Sequence, residues 1–169
     1  MAQMFATYKP AEATWAFKNF NANSNIEVSD ITNDQDEFAR NNYGNTYTLT
    51  GGSNVTLYGW VTGGEYLDIM RGTDWLQAKL VEGAYKPLID NPKIAFTDGG
   101  IGLEENAIRS VLSEAEVYLL NPEYTELVVP KEADVPKSEK AAREFLGFEF
   151  SGVYQGAIQK IGISGTIGL

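Results

Sequence analysis

Hydrophobic positions recur along the chain at two different periods. Between residues 98 and 119, Ile101, Ile108, Val111, Leu112, Ala115 and Leu119 fall three, four or seven apart and share one helical face. Thr97 and Asp98 are candidate N-caps for this helix, and Pro122 stops it. The longer stretch "GEYLDIMRGTDWLQAKLVEGAYKPLIDN" repeats the pattern through Ile69, Leu76, Leu80, Ala84 and Leu88. Gly72 is its weak point, Pro87 lies near its end and Pro92 ends it. A shorter helix is predicted in "SDITNDQDEFARNNYGN". Thr32 is its N-cap, acids crowd its first turn, and Gly44 stands at the left-handed C-terminal position.

Elsewhere the period is two. "TWAFKNF" predicts a strand over about 13–20. "NTYTLTGGSNVTLYGWVT" predicts a hairpin, with Tyr47 and Leu49 before a Gly-Gly turn and Val55, Leu57 and Trp60 after it. "YTELVVP" predicts a strand over 124–129, and the charged stretch "KEADVPKSEKAAREF" a loop with one or two helical turns. "GFEFSGVY" and "AIQKIGISGTI" predict two closing strands flanking Gln155-Gly156. The order β-α-β-β-α-α-β-β-β predicts an α+β fold. A mixed or antiparallel sheet is covered by two main helices, and the C-terminal strand pair is able to augment a neighbouring sheet. One domain is expected over 1–169: a lead-in at 1–13, a body at 14–145, and C-terminal strands or arm at 146–169.

The last strand raises the sharpest question. Ala157, Ile161, Ile163 and Ile167 lie on one side of its period, Lys160, Ser164 and Thr166 on the other. An apolar strand near a chain end must either close a hairpin with 147–154 or pair with another chain, because an open edge recruits a strand. Burying three isoleucines contributes about 5–9 kcal/mol before ordering costs. Gly162, Gly165 and Gly168 weaken the strand and permit bending.

Composition narrows the chemistry. The 169 residues carry 13 Lys and Arg against 23 Asp and Glu, for a net charge of −10 and a pI near 4.4. Such a surface repels phosphate backbones and anionic membranes, so neither nucleic acid nor membrane is expected as a partner. There is no cysteine and no histidine. Thiolate chemistry is excluded, as are the commonest metal ligand and the commonest neutral-pH acid–base. "MAQMFATYKP" lacks a basic start followed by an apolar run, and no apolar stretch approaches the ~18 residues of a membrane span, so an intracellularly made soluble chain is expected.

Several motifs have a chemical and a plainer reading. Glu65, Asp68, Asp74, Glu104 and Glu105 are candidate paired carboxylates for acid–base work. Asp68 and Asp74 flank Arg71 at i±3, beside Trp75, where ion pairing on a helix is the simpler explanation. "TDGGIG" could cradle phosphate through backbone N–H groups, but it lacks a Walker lysine and a complete G-x-G-x-x-G; a capped helix start accounts for it. "DITNDQDE" is acidic enough for calcium yet lacks the glycine and distal glutamate of an EF-hand loop. Trp15, Trp60 and Trp75, with nine tyrosines, suggest a carbohydrate- or protein-binding module, but they are dispersed along the chain. No catalytic residue, cofactor or metal site is indicated.

Four stretches carry a family resemblance: "TWAFKNF" at 14–20, "GEYLDIMRGTDWLQAKL" at 64–80, "NPKIAFTDGGIGLEENAIRSVL" at 91–112 and "GFEFSGVYQGAIQKIGISGTI" at 147–167. In order and spacing they resemble the C-terminal part of contractile tail sheath proteins of long-tailed bacteriophages. Tyr66, Asp68, Arg71, Asp74 and Trp75 stand in matching places. The resemblance implies a structural, non-enzymatic subunit of the virion tail, made in the bacterial host cytoplasm. Its partners would be other sheath subunits, stacked as rings, and the tail tube. Terminal arms would link subunits by strand addition, which assigns Ala157, Ile158, Ile161, Ile163 and Ile167 to the subunit interface. Sheath proteins of this kind are usually longer, so an excised domain, a cleaved product or a shortened relative is expected.

Overall fold

The computed structural model describes residues 8–20 and 26–166. It is α+β, as the periodicities predict. In chain order the regular elements are α1 (Asn33–Asn41), β1 (Thr46–Thr50), β2 (Ser53–Leu57), α2 (Leu67–Asp90), α3 (Asp98–Ala115), β3 (Glu126–Val128), α4 (Lys137–Ala142) and β4 (Glu149–Ser151). Short 3-10 turns cover Pro122–Tyr124 and Glu132–Asp134. Among the described residues the strands form two separate antiparallel ladders, β1–β2 and β3–β4, where one sheet was expected. The chain divides into two compact units, residues up to 70 with those from 156 onward, and residues 71–155.

In the first unit, α1 is set by its ends. The Thr32 hydroxyl accepts from Gln35 N and the Gln35 side chain accepts from Thr32 N, a complete capping box. At the other end Gly44 N donates to Ala39 O (2.7 Å) and Tyr43 N to Arg40 O (3.2 Å). These bonds form a Schellman motif in which Tyr43, at φ 54°, takes the left-handed position expected of Gly44. Tyr43 is held there by an edge-on contact with Trp60 and by Gly64, where an added Cβ would lie 2.7 Å from the Tyr43 ring.

β1 and β2 pair from Thr46↔Leu57 to Thr50↔Ser53 around Gly51 and Gly52, both at positive φ, the conformation a two-residue hairpin turn demands. β2 ends at Leu57, short of Trp60, because Tyr58 and Gly59 are left-handed (φ 73° and 78°). The strand expected over 13–20 does not form. Phe17 sits at φ 57°, which interrupts extended geometry. The segment is still fastened to β2: Phe17 N donates to Thr56 O (2.7 Å), Thr56 N to Lys18 O (3.0 Å) and Thr56 Oγ1 to Trp15 O (2.7 Å). Among the described residues of this unit Trp15, Ala16 and Val55 are the buried hydrophobic side chains.

In the second unit, the predicted face of α3 is the core. Ile101, Ile108, Val111, Leu112 and Ala115 are buried, and so is Leu119, which lies just past the helix end. Among the described residues Leu76 of α2, Leu120, Leu127 of β3 and Val135 complete this core. α2 approaches α3 closely at Gly83, where a Cβ would come within 2.8 Å of Val111 Cγ2. α2 continues through Pro87 to Asp90. Leu88, expected in the core, is more than half exposed.

Candidate assembly surface

β4 forms within the predicted 147–154 strand but pairs with β3, from Glu126↔Ser151 to Val128↔Glu149, and an isolated bridge joins Leu120 to Tyr154. Among the described residues it makes no hairpin with those that follow. Gln155 closes the unit: its N–H donates to Leu119 O (2.9 Å), and its side-chain Nε2 to Glu116 O (2.7 Å) and Leu120 O (2.8 Å). Gly156 then takes a left-handed conformation, φ 65°.

Beyond it, the expected strand of 157–167 has no ladder partner among the described residues. Ile158, Ile161 and Ile163 are 82%, 79% and 93% exposed, and Ala157 is exposed too. Ile167 lies outside the described residues. The Gln159 side chain donates to Thr14 Oγ1 (3.2 Å). Three isoleucines left in water on a chain with a well-formed core are unusual, because apolar area of this size is ordinarily covered.

The second unit carries a groove of about 250 Å³ between the C-terminal half of α2, the start of α3 and residues 143–148. Leu88, Ile94, Phe96, Ile101, Phe145 and Phe148 make its wall, with Glu104 and Arg143 as its charged members. Phe145 and Phe148 meet edge to face, 4.9 Å between centroids. Glu104 Oε1 is shielded from solvent and has no hydrogen-bond partner among the described residues. Burial pushes the Glu104 carboxyl above its usual range.

The other predicted residues are distributed along the helices. Asp68 is buried in the first turn of α2, and its Oδ1 finds no hydrogen-bond partner among the described residues. Burial raises its pKa; the Asp68 and Ile69 backbone N–H groups oppose the rise, and Glu65 adds to it. Asp74 is exposed on α2, Trp75 is half-buried, and neither lines the groove. "TDGGIG" is the start of α3, with the Thr97 hydroxyl accepting from Gly100 N (3.2 Å) and Asp98 Oδ1 accepting from Glu132 N (2.8 Å). The acids of "DITNDQDE" serve α1 and its neighbours: Asp36 accepts from Tyr58 Oη (2.6 Å) and Thr46 Oγ1 (3.3 Å). Burial, then the Asp36 hydrogen bond, pushes the Tyr58 phenol up to about 12.

Four aromatics spread over 43–66 do come together: Tyr58 stacks on Trp60 at 4.7 Å and 7°, and Tyr43 and Tyr66 pack against the same indole. Their ring faces serve one another, and Asn45 fixes the loop by accepting from Gly59 N and Trp60 N. No sequence pattern joined Leu88, Phe145 and Phe148 into one wall, because Leu88 belongs to the α2 repeat, Phe145 ends the charged loop and Phe148 starts the predicted strand 147–154. Among the described residues no group of three or more acids converges as a metal site, and no helix is long and apolar enough to cross a membrane.

The chain matches no protein-family model and no curated protein sequence. Solved structures do share its fold. A chain of the anti-feeding prophage (AFP) baseplate, determined by cryo-EM with six-fold symmetry, superposes with a TM-score of 0.70 at 15% identity, over 99% of this chain and 48% of that one. A chain of the AFP helical sheath in its contracted state gives a TM-score of 0.65 at 15% identity, over 92% and 45%. The chain thus spans about half the length of each chain it matches. It shares its fold with chains of the AFP baseplate and of the contracted AFP sheath, in line with the resemblance to sheath proteins.

Proposed function

We propose that the chain is a structural subunit of a contractile tail sheath, joined to its neighbours by strand addition so that the sheath contracts as a connected lattice. The observation that carries this reading is a fold shared across 99% of the chain with an AFP baseplate chain and across 92% with a contracted-sheath chain. The exposed isoleucines of 158–163 supply a second support: they are the side chains an added strand would bury in a neighbour's sheet. Two-stranded ladders leave edges for such a strand, and a head-to-tail link of this type generates rings or helices.

The partners on this reading are further copies of the chain and the tail tube, in the virion, with no nucleic acid or membrane engaged. Contraction then requires no bond-making residue. Two packings of the same subunits differ in free energy, and a trigger releases the less stable one.

Two experiments test the proposal. Electron microscopy of the purified protein should reveal rings that stack into tubes; a strictly monomeric protein at all concentrations would refute it. Ile161→Ser with Ile163→Ser should leave the circular dichroism spectrum intact and reduce self-association in sedimentation velocity. Unchanged association would remove the tail from the account.

A further inference from the structure

We infer that the groove of one copy receives residues 158–163 of a second copy, with Lys160 Nζ meeting the Glu104 carboxylate. The inference rests on the reading above, that tails link copies, and adds where a tail lodges and which residue pair selects it. The groove is an apolar channel with one unsatisfied demand. Glu104 Oε1 is out of contact with solvent yet accepts no hydrogen bond among the described residues, a costly state for a carboxylate. Arg143 lines the same groove without supplying that bond. A donor brought from outside satisfies the oxygen and favours the charged form of the carboxylate.

The tail has the complementary chemistry. "IQKIGI" places one cation among three isoleucines, all more than three-quarters exposed, and in an extended strand Ile158 and Lys160 face the groove together while Ile161 and Ile163 face the opposite side. On a chain of net charge −10, cations are the minority, and Lys160 is the one within this apolar run. Position supports the match as well. Phe148 forms part of the groove wall and leads directly into β4, whose second edge has no strand partner among the described residues. A strand laid along that edge is carried into the groove. Truncating one member of a partly buried charge pair weakens binding, so each single change should cost about tenfold or more in affinity.

The test is a charge swap in the full-length protein. Glu104→Lys and Lys160→Glu should each weaken self-association at least about tenfold in sedimentation velocity, and an equimolar mixture of the two should restore it, since every groove then meets a tail of opposite charge. Glu104→Gln, nearly isosteric, should weaken association without altering the thermal melt, which separates recognition from folding. Failure of the mixture to restore association overturns the pairing. Unchanged association in all three variants, with Ile161→Ser/Ile163→Ser still disruptive, overturns the groove as the docking place and leaves tail linkage standing. If the isoleucine variant also associates normally, tail linkage itself is refuted.

Discussion

Adjacent glycines at the start of α3 should respond to the same substitution with opposite signs. A Cβ at Gly100 would lie 2.0 Å from Ala95 O, 3.1 Å from Ala95 C and 3.2 Å from Ile94 Cγ2. The obstacle is main chain, so no rotamer change relieves it. Ala95 O is also held by Thr97 N at 2.8 Å. Residues 94–96 must therefore move about an ångström for an ordinary carbon–oxygen contact of roughly 3.3 Å. Overpacking of this kind costs about 1–3 kcal/mol. Loosening the bond from Gly100 N to Thr97 Oγ1 adds about 1 kcal/mol as a lost cap. Higher helix propensity returns up to about 1 kcal/mol. Gly100→Ala should thus destabilise by about 1–4 kcal/mol, moving the melting temperature down by about 2–4 °C for each kcal/mol in a chain of this size. At Gly99 the nearest atom to an added Cβ is Thr97 Oγ1 at 3.9 Å, so Gly99→Ala should stabilise by about 0.5 kcal/mol. Urea denaturation followed by circular dichroism reads both. Equal losses in the two variants, or a Gly100→Ala midpoint matching the parent, would refute the steric argument.

Thr32→Ala removes the hydroxyl half of the α1 capping box, leaving the bond from residue 32 N to Gln35, and should cost about 1 kcal/mol locally; α1 has no buried residue to compensate, so amide exchange should accelerate over 33–41. The Asp68 carboxyl is raised in the folded chain, so the native state holds its proton more tightly than the unfolded state does. Its stabilising contribution is therefore complete below the ordinary carboxylate range and is lost as pH rises through the raised value. Asp68→Asn should remove that part of the acidic pH–stability slope, and an unchanged slope in urea melts from pH 3 to 7 would contradict the assignment.

Local signals were readable where they were self-contained. Thr32 with Gln35, the Gly51-Gly52 turn and the apolar face of α3 all act within a few residues, and each is found where the pattern puts it. The features that escaped depend on distant partners. Phe17, Tyr43 and Tyr58 adopt left-handed conformations that aromatic residues rarely take. Tyr43 is fixed by Gly64 and Trp60, and Gly59 is pressed against Trp15, where a Cβ would come within 2.8 Å. The candidate surface was half legible. A two-residue period in 157–167 marks which side chains a strand would bury but not whether a neighbouring strand exists, and in this chain none pairs with its described part. Glu104 was visible as one acid among many; only the fold places it among Phe145, Phe148 and Leu88.

The attachment of the tail has a mechanical consequence. Among the described residues, tension applied from the carboxyl side first meets the bond from Gln159 to Thr14. Once that yields, the load falls on three bonds at Gln155, aimed at the Glu116, Leu119 and Leu120 carbonyls just past α3. At about 1 kcal/mol each in water, these act together as a fuse stronger than the first. The tail can peel, and slack can be taken up at Gly156, before any strain is transmitted to the helices.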